Sequence, residues 1–108
     1  MTNTVEFGDV YICLFPFTSG REVKPRPVLV LRDLEPDCLI CRITSVLHQG
    51  FLDLAIAYWK EAGLEKPSII RLSRLVTVEK SLLKRRIGRL APDDLNLARA
   101  TWNEQFRL

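Results

Sequence analysis

Three short polar stretches of this 108-residue chain combine arginine with hydroxyl or acidic side chains. They are residues 20–27 (GREVKPRP), 42–45 (RITS) and 71–74 (RLSR). The planar guanidinium group of arginine offers several N–H donors that match phosphate oxygens, and it stays charged near neutral pH. Hydroxyl groups at the end of a strand can donate a further hydrogen bond to the same phosphate. Each stretch alone also fits a solvated arginine or a turn, so no single one is specific.

The rest of the sequence excludes several other kinds of catalytic site. The chain has one histidine, His48, and it has neither a glycine-rich nucleotide-binding motif nor a carboxylate cluster for two metal ions. Cys38 and Cys41 have zinc-knuckle spacing, but no second pair completes four ligands. These two and Cys13 lie in apolar stretches and are predicted to be buried thiols in a reducing compartment. We therefore expect no metal and no cofactor.

Cleavage of RNA is a reaction that this set of residues could catalyse. RNA carries its own nucleophile, the 2′-hydroxyl, so a protein needs to position that group, stabilise the extra negative charge at phosphorus and move two protons. Fixed arginine donors can supply the stabilisation. A general acid or base typically adds a factor of ~10² to 10⁴.

The charge of the chain is compatible with a polyanionic partner but does not require one. It carries 16 basic and 13 acidic residues, and eleven of the basic residues are arginine. Acidic residues gather at 33–37 and basic residues at 80–89, so a basic face for nucleic acid and an ordinary solvated surface both stay open. No apolar stretch reaches the ~18 to 20 residues of a membrane span, and the N-terminus does not resemble a signal peptide. We expect a single cytoplasmic domain over residues 1–108.

The apolar pattern indicates short strands followed by one helix. Strands are predicted at residues 9–17, 28–31, 38–47, 51–57, 68–72, 75–78 and 86–90, with an ordered loop at 21–27 and turns at 18–20, 48–50, 58–63 and 79–83. Pro92, Asp93 and Asp94 are typical of a first helical turn. The apolar residues Leu95, Ala98, Trp102 and Phe106 recur on one helical face. This pattern predicts a small bent antiparallel sheet or barrel with a helix packed on it.

In order and spacing, these stretches and their surroundings resemble the MazF/PemK family from residue 8 to about residue 97. The matching pieces are GDVY (8–11), GRE (20–22), RPVLVL (26–31), ITS (43–45), SIIR (68–71), VTV (76–78) and RIGRL (86–90). Any one piece is weak, whereas the ordered set over most of the chain is specific.

The resemblance implies a mainly β fold, a small SH3-like antiparallel barrel of the CcdB/MazF/PemK type with a C-terminal α-helix, usually as a homodimer. It implies the toxin of a type II toxin–antitoxin system, which inhibits growth by cutting single-stranded mRNA without a metal. Attack by the 2′-hydroxyl would leave a 2′,3′-cyclic phosphate and a 5′-hydroxyl. A cognate antitoxin would cover the RNA site.

Carried over by position, the resemblance implies catalytic roles for three residues. Arg26 would stabilise the phosphate, Thr44 would hold or polarise it, and Glu22 would accept a proton. The residues expected to contact RNA are Arg21, Lys24, Ser45, Arg71, Ser73 and Arg74. The chain departs from some members in having Arg21 in place of a histidine and Ser73 in place of an acid, which leaves the proton transfers open.

Two other functions stay open on the same scaffold. The protein could bind without cutting and poison a target such as DNA gyrase, as CcdB toxins do, or it could be an inactive nucleic-acid-binding barrel. The arginines of residues 20–27 favour cleavage, because a gyrase binder does not need Arg26 beside Thr44.

Overall fold

A computed structural model describes residues 4–16 and 23–108 of the chain. Six antiparallel strands form one sheet in the order β4-β5-β3-β2-β1-β6. They are β1 (Asp9–Pro16), β2 (Val23–Asp33), β3 (Asp37–Thr44), β4 (Asp53–Ala55), β5 (Ile69–Glu79) and β6 (Leu83–Arg89). A 3₁₀ turn (Lys80–Leu82) joins β5 to β6, and helix α1 (Pro92–Gln105) follows. The predicted β fold with a C-terminal helix is confirmed, but in the described residues no ladder joins β4 to β6, so the sheet is open.

Strand β5 bends sharply near its middle. Cys41 of β3 lies opposite Leu75, whereas the next residue, Arg42, lies opposite Arg71, so the β3 ladder passes over residues 72–74. Such extra residues increase the local bend and twist of a strand. The two extended pieces predicted at 68–72 and 75–78 are therefore the two arms of one bent strand.

Both faces of the sheet are apolar at its central strands. Val28 and Val30 belong to a cluster with Cys13, Cys38 and Ile40. Leu29 points to the opposite face, in the cluster that the sheet shares with Ala98 of α1. The prediction of a strand buried on both faces at 28–31 is thus confirmed for residues 28–30. Leu95, Trp102 and Phe106 pack at the edge of the second cluster, which confirms the predicted helical face.

The turn at residues 57–63 is fixed to both β6 and α1. Both oxygens of the buried Asp94 carboxylate are used, because each accepts one backbone N–H, from Ala57 and from Tyr58, at 2.9 Å. Gly63 has a φ of +87°, and a Cβ there would overlap the carbonyl oxygen of Ile87. The sequence suggested only a helix-dipole role for Asp94, whereas the structure shows that it ties two elements together.

The prediction of an ordered loop over residues 21–27 is wrong from Val23 onward. Pro25 and Pro27 lie in β2 opposite Leu14 and Ile12 of β1. The β2–β3 ladder begins only at Val28, so the prolines interrupt no hydrogen bonds on that side. The turn predicted at 18–20 falls outside the described residues.

Strands β3 and β4 are shorter than predicted. Strand β3 ends at Thr44 and strand β4 begins at Asp53. The apolar residues Val46, Leu47 and Phe51 between them are exposed. All three cysteines are buried and free, as expected. No helix in the described part of the chain is long and apolar enough to cross a membrane.

Candidate functional site

A groove opens where strands β2 and β3 stop pairing. Their last paired residues at this end are Val28 and Arg42. The same register, continued by two residues, would put Arg26 opposite Thr44. A cavity of about 380 Å³ lies here, and both Arg26 and Thr44 line it. The two residues on which the phosphate hypothesis rests therefore share one site.

The groove is lined by parts of four strands and by the segment after the 57–63 turn. Its apolar lining consists of Ile12, Pro27, Ile43, Val46, Gly63, Leu64 and Ile87. Its polar lining consists of Arg26, Arg42, Thr44, Ser45, Glu65, Lys66, Ser68 and Arg85. Cationic and hydroxyl groups beside apolar surface suit a ligand that has both anionic and planar or aliphatic parts.

The alternation of β3 explains why Arg42 and Thr44 reach the groove. Ile40 and Cys38 occupy the same strand face two and four residues before Arg42, and they are buried in the cluster with Val28. Arg42 and Thr44 continue this face beyond the cluster, where they are partly exposed. One face of a single strand thus changes from core to binding surface along its length.

The Thr44 hydroxyl has a defined orientation. Its oxygen accepts the backbone N–H of Val46 at 3.1 Å. A hydroxyl that accepts one hydrogen bond keeps its own hydrogen for another acceptor. The turn interaction that the sequence suggested for Thr-Ser is present, and it leaves Thr44 able to donate into the groove.

Four of the five arginines at the groove lie close to one another. The pKa of Arg42 lies below its ordinary value, mainly because the side chain is partly desolvated and also because Arg26, Arg71 and Arg74 are close to it. Like charges brought together in this way repel one another. An anion bound among them would relieve that repulsion.

Asp53 holds Arg71 beside this group. Its carboxylate accepts hydrogen bonds from Nε of Arg71 at 3.0 Å and from the backbone N–H of Gly50 at 2.8 Å. Burial alone would raise the pKa of Asp53, but the two donors outweigh it and the pKa is lowered. Arg71 is thereby held in place from β4, the neighbouring strand.

Almost the whole chain matches a known family. The family described as PemK-like, MazF-like toxin of type II toxin-antitoxin systems matches residues 6–106. The chain belongs to this family. A comparison of this MazF-like toxin with curated proteins gives no match.

Solved structures show the same fold at low sequence identity. The Mycobacterium tuberculosis toxin MazF-mt6 is 19% identical, covers 91% of this chain and 95% of its own, and has a TM-score of 0.73. An endoribonuclease from a mycobacterial species, in complex with its cognate antitoxin, is 16% identical with 95% of both chains covered and a TM-score of 0.77. A Deinococcus radiodurans MazE-MazF structure is 16% identical, covers 94% of this chain and 92% of its own, and has a TM-score of 0.66.

The predicted site residues of the MazF-like toxin fall into three groups. Arg26, Thr44 and Ser45 line the groove. Arg71 and Arg74 lie close to Arg42, at its edge. The exposed residues Lys24 and Ser73 lie on β2 and β5 outside the lining just described, and Arg21 and Glu22 fall outside the described residues.

Sequence reasoning did not single out Arg85, Glu65 or Lys66. Arg85 was one of many basic residues at 80–89, and only its register opposite Ile12 shows that it reaches the groove. Glu65 and Lys66 lie between the 57–63 turn and β5, in a segment for which the residue pattern predicted no role. Within residues 4–16 and 23–108, no three His, Cys, Asp or Glu side chains gather as metal ligands.

Proposed function

We propose that this MazF-like toxin is an endoribonuclease that cuts single-stranded RNA in the groove. The observation that carries the proposal is the meeting of Arg26 and Thr44 across a cavity of about 380 Å³, large enough for a phosphodiester and its ribose. It is supported by structural neighbours named as endoribonucleases.

The arginines supply the electrostatic part of the reaction. As the 2′-oxygen attacks, phosphorus becomes pentacoordinate and its oxygens gain negative charge. Arg26 and Arg42 stabilise this charge with fixed N–H donors, which do not need to reorganise during the reaction. Arg71 and Arg74 add to the positive potential, and Asp53 keeps Arg71 in position.

Thr44 and the apolar lining orient the substrate. The Thr44 hydroxyl donates its hydrogen to a non-bridging phosphate oxygen, and the exposed Ser45 contacts a neighbouring sugar or phosphate. Ile12, Ile43 and Leu64 contact the base or ribose and displace water. A drier groove strengthens the attraction between the phosphate and the arginines.

The reaction forms a bond between the 2′-oxygen and phosphorus and breaks the bond between phosphorus and the 5′-oxygen. Its products are a 2′,3′-cyclic phosphate and a 5′-hydroxyl, and the charge stabilisation comes from the protein without a metal. Glu22 stays a sequence-based candidate for one proton transfer.

We propose that the partner of the toxin is a cognate antitoxin, as in the mycobacterial complex and the Deinococcus pair. The groove is rich in arginine, so an acidic antitoxin segment would compete directly with RNA there. The whole chain would act as one cytoplasmic domain and assemble as a homodimer.

The Arg26→Ala variant tests the proposed function. We expect wild type to cut a labelled RNA pool in EDTA, and we expect R26A to cut it about 10² to 10³-fold more slowly. Arg32→Ala is the matched control, because Arg32 is an exposed arginine of the same strand outside the groove lining. A wild-type protein that leaves RNA intact would refute the proposal, as would an R26A variant that cuts at the wild-type rate.

A further inference from the structure

The described lining of the groove contains one carboxylate, Glu65. The other charged groups that face the groove are Arg26 of β2, Arg42 of β3, Arg85 of β6 and the neighbouring Lys66. A carboxylate among four cations adds nothing to the attraction for phosphate. In a site that must also remove a proton from a hydroxyl, however, an acceptor is required.

The backbone around Glu65 is anchored on both sides. Leu64 is 9% exposed and its N–H donates to the carbonyl oxygen of Trp59 at 3.1 Å. On the other side the hydroxyl of the buried Ser68 donates to the carbonyl oxygen of Lys66 at 2.9 Å. Local hydrogen bonds therefore hold the backbone on either side of Glu65.

Two glycines set the position of this segment against β6. A Cβ at Gly63 would overlap the carbonyl oxygen of Ile87, and a Cβ at Gly88 would overlap that of Ala62. The backbones of the turn and the strand thus approach more closely than any larger residue would allow. This close contact places Glu65 on the same groove as Arg85.

We infer that Glu65 is the proton acceptor for the attacking 2′-hydroxyl. This inference rests on the proposed function. As the 2′-oxygen forms its bond to phosphorus, its proton passes to a carboxylate oxygen of Glu65. The bond to the 5′-oxygen breaks, and that oxygen takes a proton from water. Glu65 returns its proton to solvent, so the reaction consumes and releases no net proton.

This inference places proton acceptance in the segment after the 57–63 turn, whereas the family resemblance placed it at Glu22. The two assignments make different predictions. With Glu65 as acceptor, Glu65→Gln removes the transfer of the 2′-hydroxyl proton and cleavage is lost, whereas with Glu22 as acceptor Glu65→Gln leaves that transfer intact. Glutamine matches the size of glutamate and keeps its hydrogen-bonding oxygen, but it does not act as a base at neutral pH.

The decisive experiment compares E65Q with the control E61Q in single-turnover cleavage of RNA. Glu61 is an exposed acid of the preceding turn, beside Tyr58 and Pro92 and outside the groove. We expect E65Q to be 10² to 10⁴-fold slower and E61Q to match wild type. Binding of an RNA with a 2′-deoxy nucleotide at the cut site should change less than threefold in E65Q.

The outcomes separate this inference from the proposed function. If wild type cuts RNA, R26A does not, and E65Q cuts within a few-fold of wild type, Glu65 is not the acceptor and the endoribonuclease proposal stands. An E65Q variant that also loses binding of the 2′-deoxy RNA would overturn the inference by showing a binding role. A wild-type protein that does not cut would overturn both.

Discussion

Charged side chains gather in two regions that use opposite arrangements. Beside Glu6, the buried Asp9 accepts hydrogen bonds from Arg86 at 3.3 Å and Arg89 at 3.1 Å, and its other oxygen accepts the Glu6 N–H at 3.0 Å. There an acid lies between bases. At the groove, in contrast, arginines lie close to one another, and the pKa of Arg42 is lowered by partial desolvation and, to a smaller extent, by Arg26, Arg71 and Arg74.

The same strand serves both regions. Arg85 and Arg86 are neighbours on β6, and successive side chains of a strand point to opposite faces. Arg85 lines the groove opposite Ile12, and Arg86 reaches Asp9. Opposite charges around Asp9 stabilise the fold, whereas the arginines close to Arg42 repel its charge, and an anionic ligand would relieve that repulsion.

The largest expected effect is a loss of RNA cleavage on replacement of Arg42. Arg42→Met should slow RNA cleavage about 10² to 10³-fold, because a donor to the phosphate is lost. Removing a partly desolvated charge and its repulsion from Arg26, Arg71 and Arg74 offsets the contacts that the side chain loses, so the melting temperature should change little. Cleavage and thermal unfolding of R42M are compared with those of Arg107→Met, which replaces an exposed arginine near the C-terminus. A variant that melts lower but cuts normally would place Arg42 among the structural charges.

At Asp9 we expect a loss of stability without a loss of cleavage. Asp9→Ala should lower the free energy of unfolding by about 1–3 kcal/mol, because the Glu6 N–H, Arg86 and Arg89 lose the carboxylate that accepts their hydrogen bonds. The ion pair with Arg86 contributes little to this loss of stability, because the Arg86 side chain is half exposed. Cleavage per folded molecule should be unchanged, as measured by urea unfolding and by assays of the folded fraction. A large loss of cleavage in folded D9A would break the separation of the two regions.

The smallest effect, at Asp53, sharpens the boundary between the regions. Because the pKa of Asp53 is lowered on folding, this group stabilises the protein above the unfolded-state pKa of ~3.9, and the contribution is lost as pH falls through the folded value. Asp53→Asn should therefore be less stable than wild type near pH 7, and the difference should shrink below about pH 4. The measurement is urea unfolding from pH 7 to 3, with the exposed Asp93→Asn as control. A difference that stays constant down to pH 3 would contradict the lowered pKa.

Local sequence patterns were sufficient to predict an element when its own residues determine which side is buried. The face formed by Leu95, Ala98, Trp102 and Phe106 predicted both the helix and the side that packs. The run at 28–31 predicted burial on both sheet faces. Patterns failed for Pro25 and Pro27, whose place in a strand depends on which neighbouring strands are present.

The site divides in the same way. Arg26 and Thr44 were found because their family motifs are short and local. Arg85 and Glu65 were missed, because their residue types are common and only contacts across long sequence distances bring them to the groove.

The sequence by itself determined the kinds of chemistry available: arginines and hydroxyls, a single histidine and three buried thiols. It also determined the order of motifs that identifies the family. Which charges lie close together depends on the folded chain. The end of the β2–β3 ladder, the bend in β5 and the contact of Gly63 with β6 set those distances, and electrostatic interactions depend on distance in space, which residue spacing along the chain does not specify.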